Sequence, residues 1–435
     1  MKRQRPRWHG AIAAGLALLL VATAAACADD NKSDDASTGS SGDLKGKTVT
    51  IFGSEVEDEL QGNQDAFDQF TKDTGIKVKI SGDRSFETQI GTMVDGGNPP
   101  DIALFPQPGK VNDFKDDIIA LPKDVTDELN KNFDPGITDL VKFNGDVKGV
   151  PLKADLKSVV WYSPKYFKDG GYEVPTTFQG FLDLADKMHA DGKTPFCIGI
   201  GSDDATGWPF TDWVEDFMLR MKGPDVYDKW YKHEIPFDDP DVLEVGQAVY
   251  DLWSKPGYVF GGVKNVASTP FADAGLPLLK GDCMMHRQGN FYSANFPEGT
   301  TFGPDGDVNA FYLPGSEQYP NITLSGGNYA SAMADRPEVM AVMKFMASED
   351  YASARAPAKG FLSPNKNVDT SKYPDKLTQQ FGEILAKGDP IRFDASDLMP
   401  GAVGADSFWT AAVDITTGQK TVKQAFTDVE GTWPS

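Results

Sequence analysis

Gly149-Val150-Pro151-Leu152-Lys153-Ala154-Asp155-Leu156-Lys157-Ser158-Val159-Val160-Trp161-Tyr162-Ser163-Pro164-Lys165-Tyr166 decides how this chain is organised. The stretch opens on a Pro-containing, poorly helical segment, enters the β-rich tract 158–162 and stops at Ser163-Pro164. Strand and helix signals alternate before it, and a second set begins after it. It therefore reads as a crossover strand between two lobes. Polar groups at its start, Lys153 and Asp155, are then expected in the cleft between the lobes, where ligand sites are common.

Working outward, the N-terminal side begins with a strand signal at Thr48-Val49-Thr50-Ile51-Phe52, ending in Gly53-Ser54-Glu55. Leu60, Ala66, Phe67 and Phe70 follow at roughly helical spacing and stop at Thr74-Gly75. A strand over 76–80, a helix near 86–94, a turn at Gly96-Gly97-Asn98-Pro99-Pro100 and a strand over 101–105 come next. This alternation predicts an α/β fold with a largely parallel sheet. Ligands of such sheets sit outside the carboxyl ends of the strands, which places Glu55 and the tip Phe105-Pro106-Gln107 at the cleft.

On the C-terminal side the pattern predicts a helix over 178–190, a strand over 196–200, and a helix through Trp213, Phe217 and Leu219. Trp208 and Asp212 lie four apart at the start of that helix and share a face. An indole there covers the apolar face of a sugar ring while a carboxylate accepts from its hydroxyls. Equally, Trp208 packs in the core and Asp212 favours the helix N-terminus. Trp213 is assigned to the core. Tracts 281–285 and 308–313 read as strands, Gly326-Gly327-Asn328 as a turn into a strand, and Arg355 to Phe361 as a further crossing between lobes. Helical patterns over 338–347, 376–386 and 407–415 complete the chain.

The first 26 residues are an address: Lys2, Arg3, Arg5 and Arg7 precede an apolar run, and Ala24-Ala25-Ala26-Cys27 offers a cleavage site. This resembles a bacterial lipoprotein signal, with Cys27 as the lipidated first residue, although Ala24 stands where Leu is more usual. An ordinary cleaved secretory signal is the alternative. Residues 27–43 are polar and aperiodic, as a flexible tether requires. The whole chain has a formal net charge of −22; removing the leader takes four basic groups and no acids, leaving −26. Such a surface repels nucleic acid and anionic lipid. His189, His233 and His286 are scattered, and Asp305, Asp307 and Asn309 only imitate the start of a calcium loop, so neither metal nor cofactor is expected. In an exported protein Cys197 and Cys283 are either bridged or two buried thiols.

Four segments carry a resemblance: IFGSEV at 51–56, GGNPPDIALFPQPG at 96–109, TGWPFTDWVED at 206–216 and GDCMMHRQGNFY at 281–292. Together they are similar to the extracytoplasmic solute-binding proteins of carbohydrate ABC importers, in the α-glucoside-binding branch. The resemblance implies two discontinuous α/β lobes joined by a multi-strand hinge, of the type II periplasmic-binding-protein kind, closing on a sugar. It implies lobe one over 44–152 with 310–355 and lobe two over 153–309 with 356–435. It also favours the Cys197–Cys283 bridge, makes Arg287 and Gln288 hydroxyl partners with Phe291 a weaker stacking candidate, and makes Trp409 a stacking residue; a structural ion pair with a carboxylate competes for Arg287, and helix packing accounts equally well for Trp409. Gly327 would let backbone approach the ligand. The expected partners are a carbohydrate and the importer's permease subunits, with a monomeric chain touching the membrane through its lipid anchor alone. The competing reading is a secreted glycoside hydrolase, which needs two carboxylates about 5–10 Å apart. Glu55, Asp155, Asp212 and Glu215 supply acids for it, whereas a sugar sensor would share the receptor's site.

Overall fold

The computed structural model describes residues 44–434; the leader, Cys27 and the tether lie outside the described residues. Parallel strands Thr48–Gly53, Lys77–Gly82 and Ile102–Phe105 are linked by helices Glu57–Thr74 and Phe86–Asp95. Helix Glu57–Thr74 stops at Gly75, whose φ of 74° is the left-handed conformation that glycine adopts without a Cβ penalty. Thr48–Gly53 lies between the other two strands, so Val49 and Ile51 feed a core on one face, while Phe52 feeds a second core on the other with Phe86 and Phe105.

Thr323–Ala332 extends this sheet. It runs antiparallel to Ile102–Phe105 and to Val150–Leu156, and parallel to Ile391–Phe393. After only Lys157-Ser158 the chain re-enters extended structure as Val159–Tyr162, now the centre of a second sheet between Met285–Arg287 and Asn309–Tyr312. One extended track thus passes from sheet to sheet at 157–158, and the chain returns between Tyr312 and Thr323. The strand begins at Val150, earlier than the sequence pattern suggested. Pro151 pairs with Tyr329 beside a register shift between Asn328 and Tyr329, the kind of irregularity at which a strand admits proline.

Two further cores lie in the lobe built on the second sheet. One gathers Trp213, Trp230, Trp253 and Phe408; the other gathers Trp161, Tyr292 and Phe381. Trp213 meets Phe196 and Trp253 edge to face, as a core residue. The Cys197–Cys283 disulfide joins the two segments that flank this region, with Cα atoms 5.5 Å apart.

Three local expectations are corrected. Residues 196–200 make isolated bridges, not a strand, because their partners come from separate segments: Phe196 N–H donates to Tyr258 O, Cys197 N–H to Met285 O and Ile200 N–H to Val266 O. The strand expected over 281–285 forms only at Met285–Arg287. Gly326-Gly327-Asn328 is no turn but the middle of the buried ten-residue strand Thr323–Ala332. Gly327 is required there by close approach, since a Cβ would lie 2.2 Å from the Lys153 carbonyl oxygen.

Candidate functional site

The side of strand Val150–Leu156 that carries Lys153 and Asp155 also carries Lys157, just beyond its end, because alternate residues point the same way. All three line a cavity between the lobes, of about 790 Å³ counting its mouth. Leu152 and Leu156 face the other way, into the cores. The strand thus supplies a rigid row of charges at the hinge.

Lys153 is held by lobe-one carboxylates: its Nζ lies 3.3 Å from Glu55 Oε1 and 3.5 Å from Glu59 Oε1. Glu55 also accepts from Asn328 at 3.2 Å and Arg355 at 2.8 Å, and from Asn63. Burial alone would raise the Glu55 carboxyl, but the Arg355 and Lys153 charges outweigh it and hold it below its ordinary value. Asp155 behaves in the opposite way. Burial pushes it up against the pull of Lys153, and its Oδ1 has no hydrogen-bond partner, with Lys153 Nζ 3.6 Å away. Gln107 donates from Nε2 to Glu87 at 2.9 Å, while its buried Oε1 has no partner. Two buried acceptors are therefore left open at the cavity wall.

Helix Trp208–Met221 presents Trp208, Thr211 and Asp212 to the cavity, on one face at spacings of three and four. Lys157 Nζ donates to Asp212 Oδ1 at 3.0 Å and to Asp394, and stands 3.8 Å from Asp397. Asp394 precedes the short helix Ala395–Leu398 and caps it by accepting from Asp397 N–H at 2.9 Å. Burial would raise Asp394, but the Lys157 charge overrides it and brings the carboxyl to about 2; Asp212, where burial prevails, is pushed up to about 6. Asp212, Glu215 and Asp394 bring carboxylate oxygens within 4.8 Å of one another, a spacing that also suits a metal ion. Here the Lys157 ammonium is the cation set against Asp212 and Asp394, while Glu215 accepts from the backbone N–H groups of Ala395 and Ser396 at 3.1 Å.

Lobe two adds an aromatic wall. Trp208 meets Phe271 at 5.0 Å and Phe291 at 6.0 Å between ring centroids, and Trp409 packs beside it over Ala205 and Ala405. From lobe one, Arg84 reaches over the Phe271 ring at 4.9 Å while donating to Glu59 and to the Ser54 carbonyl. Polar edges on one side and π-faces on the other suit a flat, hydroxylated ring.

Of the expected site residues, Glu55, Gln107, Lys153, Asp155, Trp208, Asp212, Gly327 and Trp409 line this cavity. Phe105, Arg287 and Gln288 do not. Phe105 packs against Phe86 and Phe114 in the lobe-one core, because the strand tip turns its next residues, not this one, outward. Arg287 lies behind the wall, donating to Asp216 at 2.8 Å and to Asp212 at 3.1 Å, so it positions Asp212. The Gln288 side chain accepts from Gly289 N–H at 2.9 Å. Sequence reading missed Glu59, Arg84, Glu87, Lys157, Phe271, Asp394 and Asp397 as lining residues. Only Lys157 had a visible signal, its two-residue spacing from Asp155.

Comparison with known proteins agrees with this geometry. Residues 53–353 match the family described as bacterial extracellular solute-binding protein. The chain is 39% identical over 402 residues to the osmoprotective compounds-binding protein GgtB of Synechocystis, covering 91% of this chain and 94% of that one. It is 38% identical over 407 residues to the alpha-glucosides-binding periplasmic protein AglE of Rhizobium meliloti, covering 90% and 88%. In structure it is similar to the bacterial solute receptor AcbH, with a TM-score of 0.76 at 19% identity over 88% of this chain and 98% of that one, which shows a shared two-lobed type II fold. These are binding proteins and not enzymes, so the hydrolase reading falls away. With a match over most of its length, and with two lobes meeting at a polar and aromatic cavity, the chain belongs to the bacterial extracellular solute-binding proteins.

Proposed function

We propose that this protein captures an α-glucoside of the maltose, trehalose or sucrose kind by lobe closure and delivers it to the permease subunits of an ABC importer. The observation that carries the reading is the pairing of two buried acceptors without a hydrogen-bond partner, Asp155 Oδ1 and Gln107 Oε1, with the aromatic wall of Trp208, Phe271, Phe291 and Trp409 across the same cavity. A sugar ring satisfies both at once: its hydroxyls donate to the acceptors and its C–H face covers an indole. The relative named for alpha-glucosides supports the ligand class. The ligand contacts both lobes and so favours the closed state over the open one, as a population shift requires.

The division of the chain into lobe one, 44–152 with 310–355, and lobe two, 153–309 with 356–435, is part of the proposal; the strands of the two sheets meet a few residues from those bounds, at 157–158 and across 313–322. Export, removal of 1–26, lipidation at Cys27 and action as a monomer complete the proposed picture. Calorimetric titration with maltose, trehalose, sucrose and glucose tests it, repeated on Trp208→Ala and Trp409→Ala. One-to-one binding of a disaccharide, weakened about tenfold or more by each substitution, is expected from the loss of roughly 1.4 kcal/mol or more of stacking and burial. Full affinity in both variants would return these tryptophans to a packing role, and silence across the panel would remove the α-glucoside assignment.

A further inference from the structure

The open polar atoms of the cavity are all of one kind. Among the described residues, the buried side-chain atoms at its wall that lack a partner, Asp155 Oδ1 and Gln107 Oε1, are acceptors. The cations there are shared among several carboxyls: Arg84 pairs with Glu59, Lys153 with Glu55 and Glu59 and, at 3.6 Å, with Asp155, and Lys157 with Asp212 and Asp394 and, at 3.8 Å, with Asp397, so Asp155 and Asp397 hold only the longest of these contacts and Glu87 holds none. Seven carboxyl groups face three cationic groups along the wall. Behind it Arg220 pairs with Asp216, Arg287 with Asp216 and Asp212, and Arg355 with Glu55; counted with the buried Glu215 and Asp216, these three arginines reduce the acid excess without cancelling it.

Like charges also confront one another across the cleft. Asp397, from lobe two, is raised well above its ordinary value by burial and by Asp394, and Glu87 of lobe one adds to the rise. Burial raises Glu87 too, with Asp204 of lobe two contributing. Each lobe therefore brings carboxyl groups to the cavity that gain from a positive charge between them. A hydroxyl offers them one donor and no charge. A protonated amine offers three donors and a full charge, and a carboxylate offers neither donor nor attraction.

We infer that the cavity takes a sugar bearing a protonated amino group in preference to its neutral parent, with the ammonium on a carboxylate of the set Asp155, Glu87 and Asp397, and that it rejects the corresponding uronic acid. The inference rests on the sugar-binding reading of this site and narrows its ligand class.

The test is calorimetric titration of the full chain at pH 7 with trehalose, with trehalose carrying an amino group in place of the hydroxyl at C2, C4 or C6 of one ring, and with its 6-uronic acid. At least one amine is expected to bind about tenfold tighter than trehalose, and the uronic acid about tenfold weaker, with the amine's advantage shrinking as salt is added. Trehalose binding with no amine binding tighter overturns the inference and leaves the sugar-receptor reading standing. An amine binding where trehalose does not supports the inference and removes trehalose as ligand. Silence for every compound overturns the inference, while the sugar-receptor reading then stands or falls with the maltose and sucrose titrations. Asp155→Asn and Asp397→Asn are read by the ratio of amine to trehalose affinity; a fall of about fivefold in either supports the placement, and an unchanged ratio in both overturns it.

Discussion

Lys157 is the buried cation on which the second half of the site depends, and Lys157→Met is the perturbation that measures it. Its ammonium lies 3.0 Å from Asp212, contacts Asp394 and stands 3.8 Å from Asp397, with Glu215 close behind. Met keeps most of the packing volume and removes only the charge. The carboxyl whose charge Lys157 holds most firmly is Asp394, at about 2 against an ordinary value of 3.8; Asp212, which Lys157 also lowers, rises with it in the variant. Without the ammonium, burial and its neighbours favour the neutral form, so the folded variant takes up a proton that the unfolded chain does not carry at pH 7. Forcing a carboxyl of ordinary value 3.8 to be protonated at pH 7 costs about 4 kcal/mol at 1.36 kcal/mol per unit, within the range of 3–5 kcal/mol typical when one partner of a buried ion pair is removed.

The sign follows from linkage. In the variant the folded Asp394 pKa lies above its unfolded value, so the folded state binds more protons and stability falls as pH rises through that window. Relative to wild type, the loss should be about 4 kcal/mol at pH 7 and smaller by at least about 2 kcal/mol at pH 5, because Asp394 and Asp212 both titrate in that direction. Urea unfolding of both proteins at the two pH values, followed by tryptophan fluorescence, reads this directly. A loss below about 1 kcal/mol at pH 7, or one that does not shrink at pH 5, would refute the reasoning and show that the cluster is hydrated or otherwise compensated.

Two further outcomes follow from single contacts. Arg84→Ala removes the guanidinium that lies over Phe271 from the opposite lobe; a loss of about 1 kcal/mol should weaken ligand binding roughly fivefold, mainly through faster dissociation, and stopped-flow kinetics showing affinity unchanged within about twofold would discard the contact as a closure latch. Replacing both Cys197 and Cys283 by Ser opens a loop spanning 86 residues, so the midpoint of denaturant unfolding should fall by the equivalent of about 4–5 kcal/mol in the chain-entropy model, and an unshifted midpoint would mean that the bridge adds nothing.

Much of the fold was legible because its signals are local. Val49, Ile51 and Phe52 alternate as a strand between two cores must, the helix ends at Thr74-Gly75 fell where glycine permits a left-handed cap, and Phe178–Ala190 is a helix with the spacing to match. Gly326-Gly327-Asn328 misled because a glycine pair signals a turn as readily as a strand onto which another backbone is pressed. Residues 196–200 misled because β-propensity says nothing about whether a continuous partner exists.

Local pattern was enough to read an α/β fold and a crossover strand ending at Ser163-Pro164, and strand ends were enough to point Glu55 and Gln107 toward a cleft, whereas the two closing lobes came from the family resemblance. Only the tertiary structure decided that Arg287 props Asp212 and leaves the cavity wall to others, that Lys157 is the hub of three carboxylates, and that Asp394 and Asp397 reach the site from a segment more than 170 residues beyond Asp212. The physical reason is the range of the interactions. Backbone periodicity is set by neighbours along the chain, whereas a buried charge is defined by whichever opposite charge folding brings within about 4 Å, and sequence distance carries no trace of that.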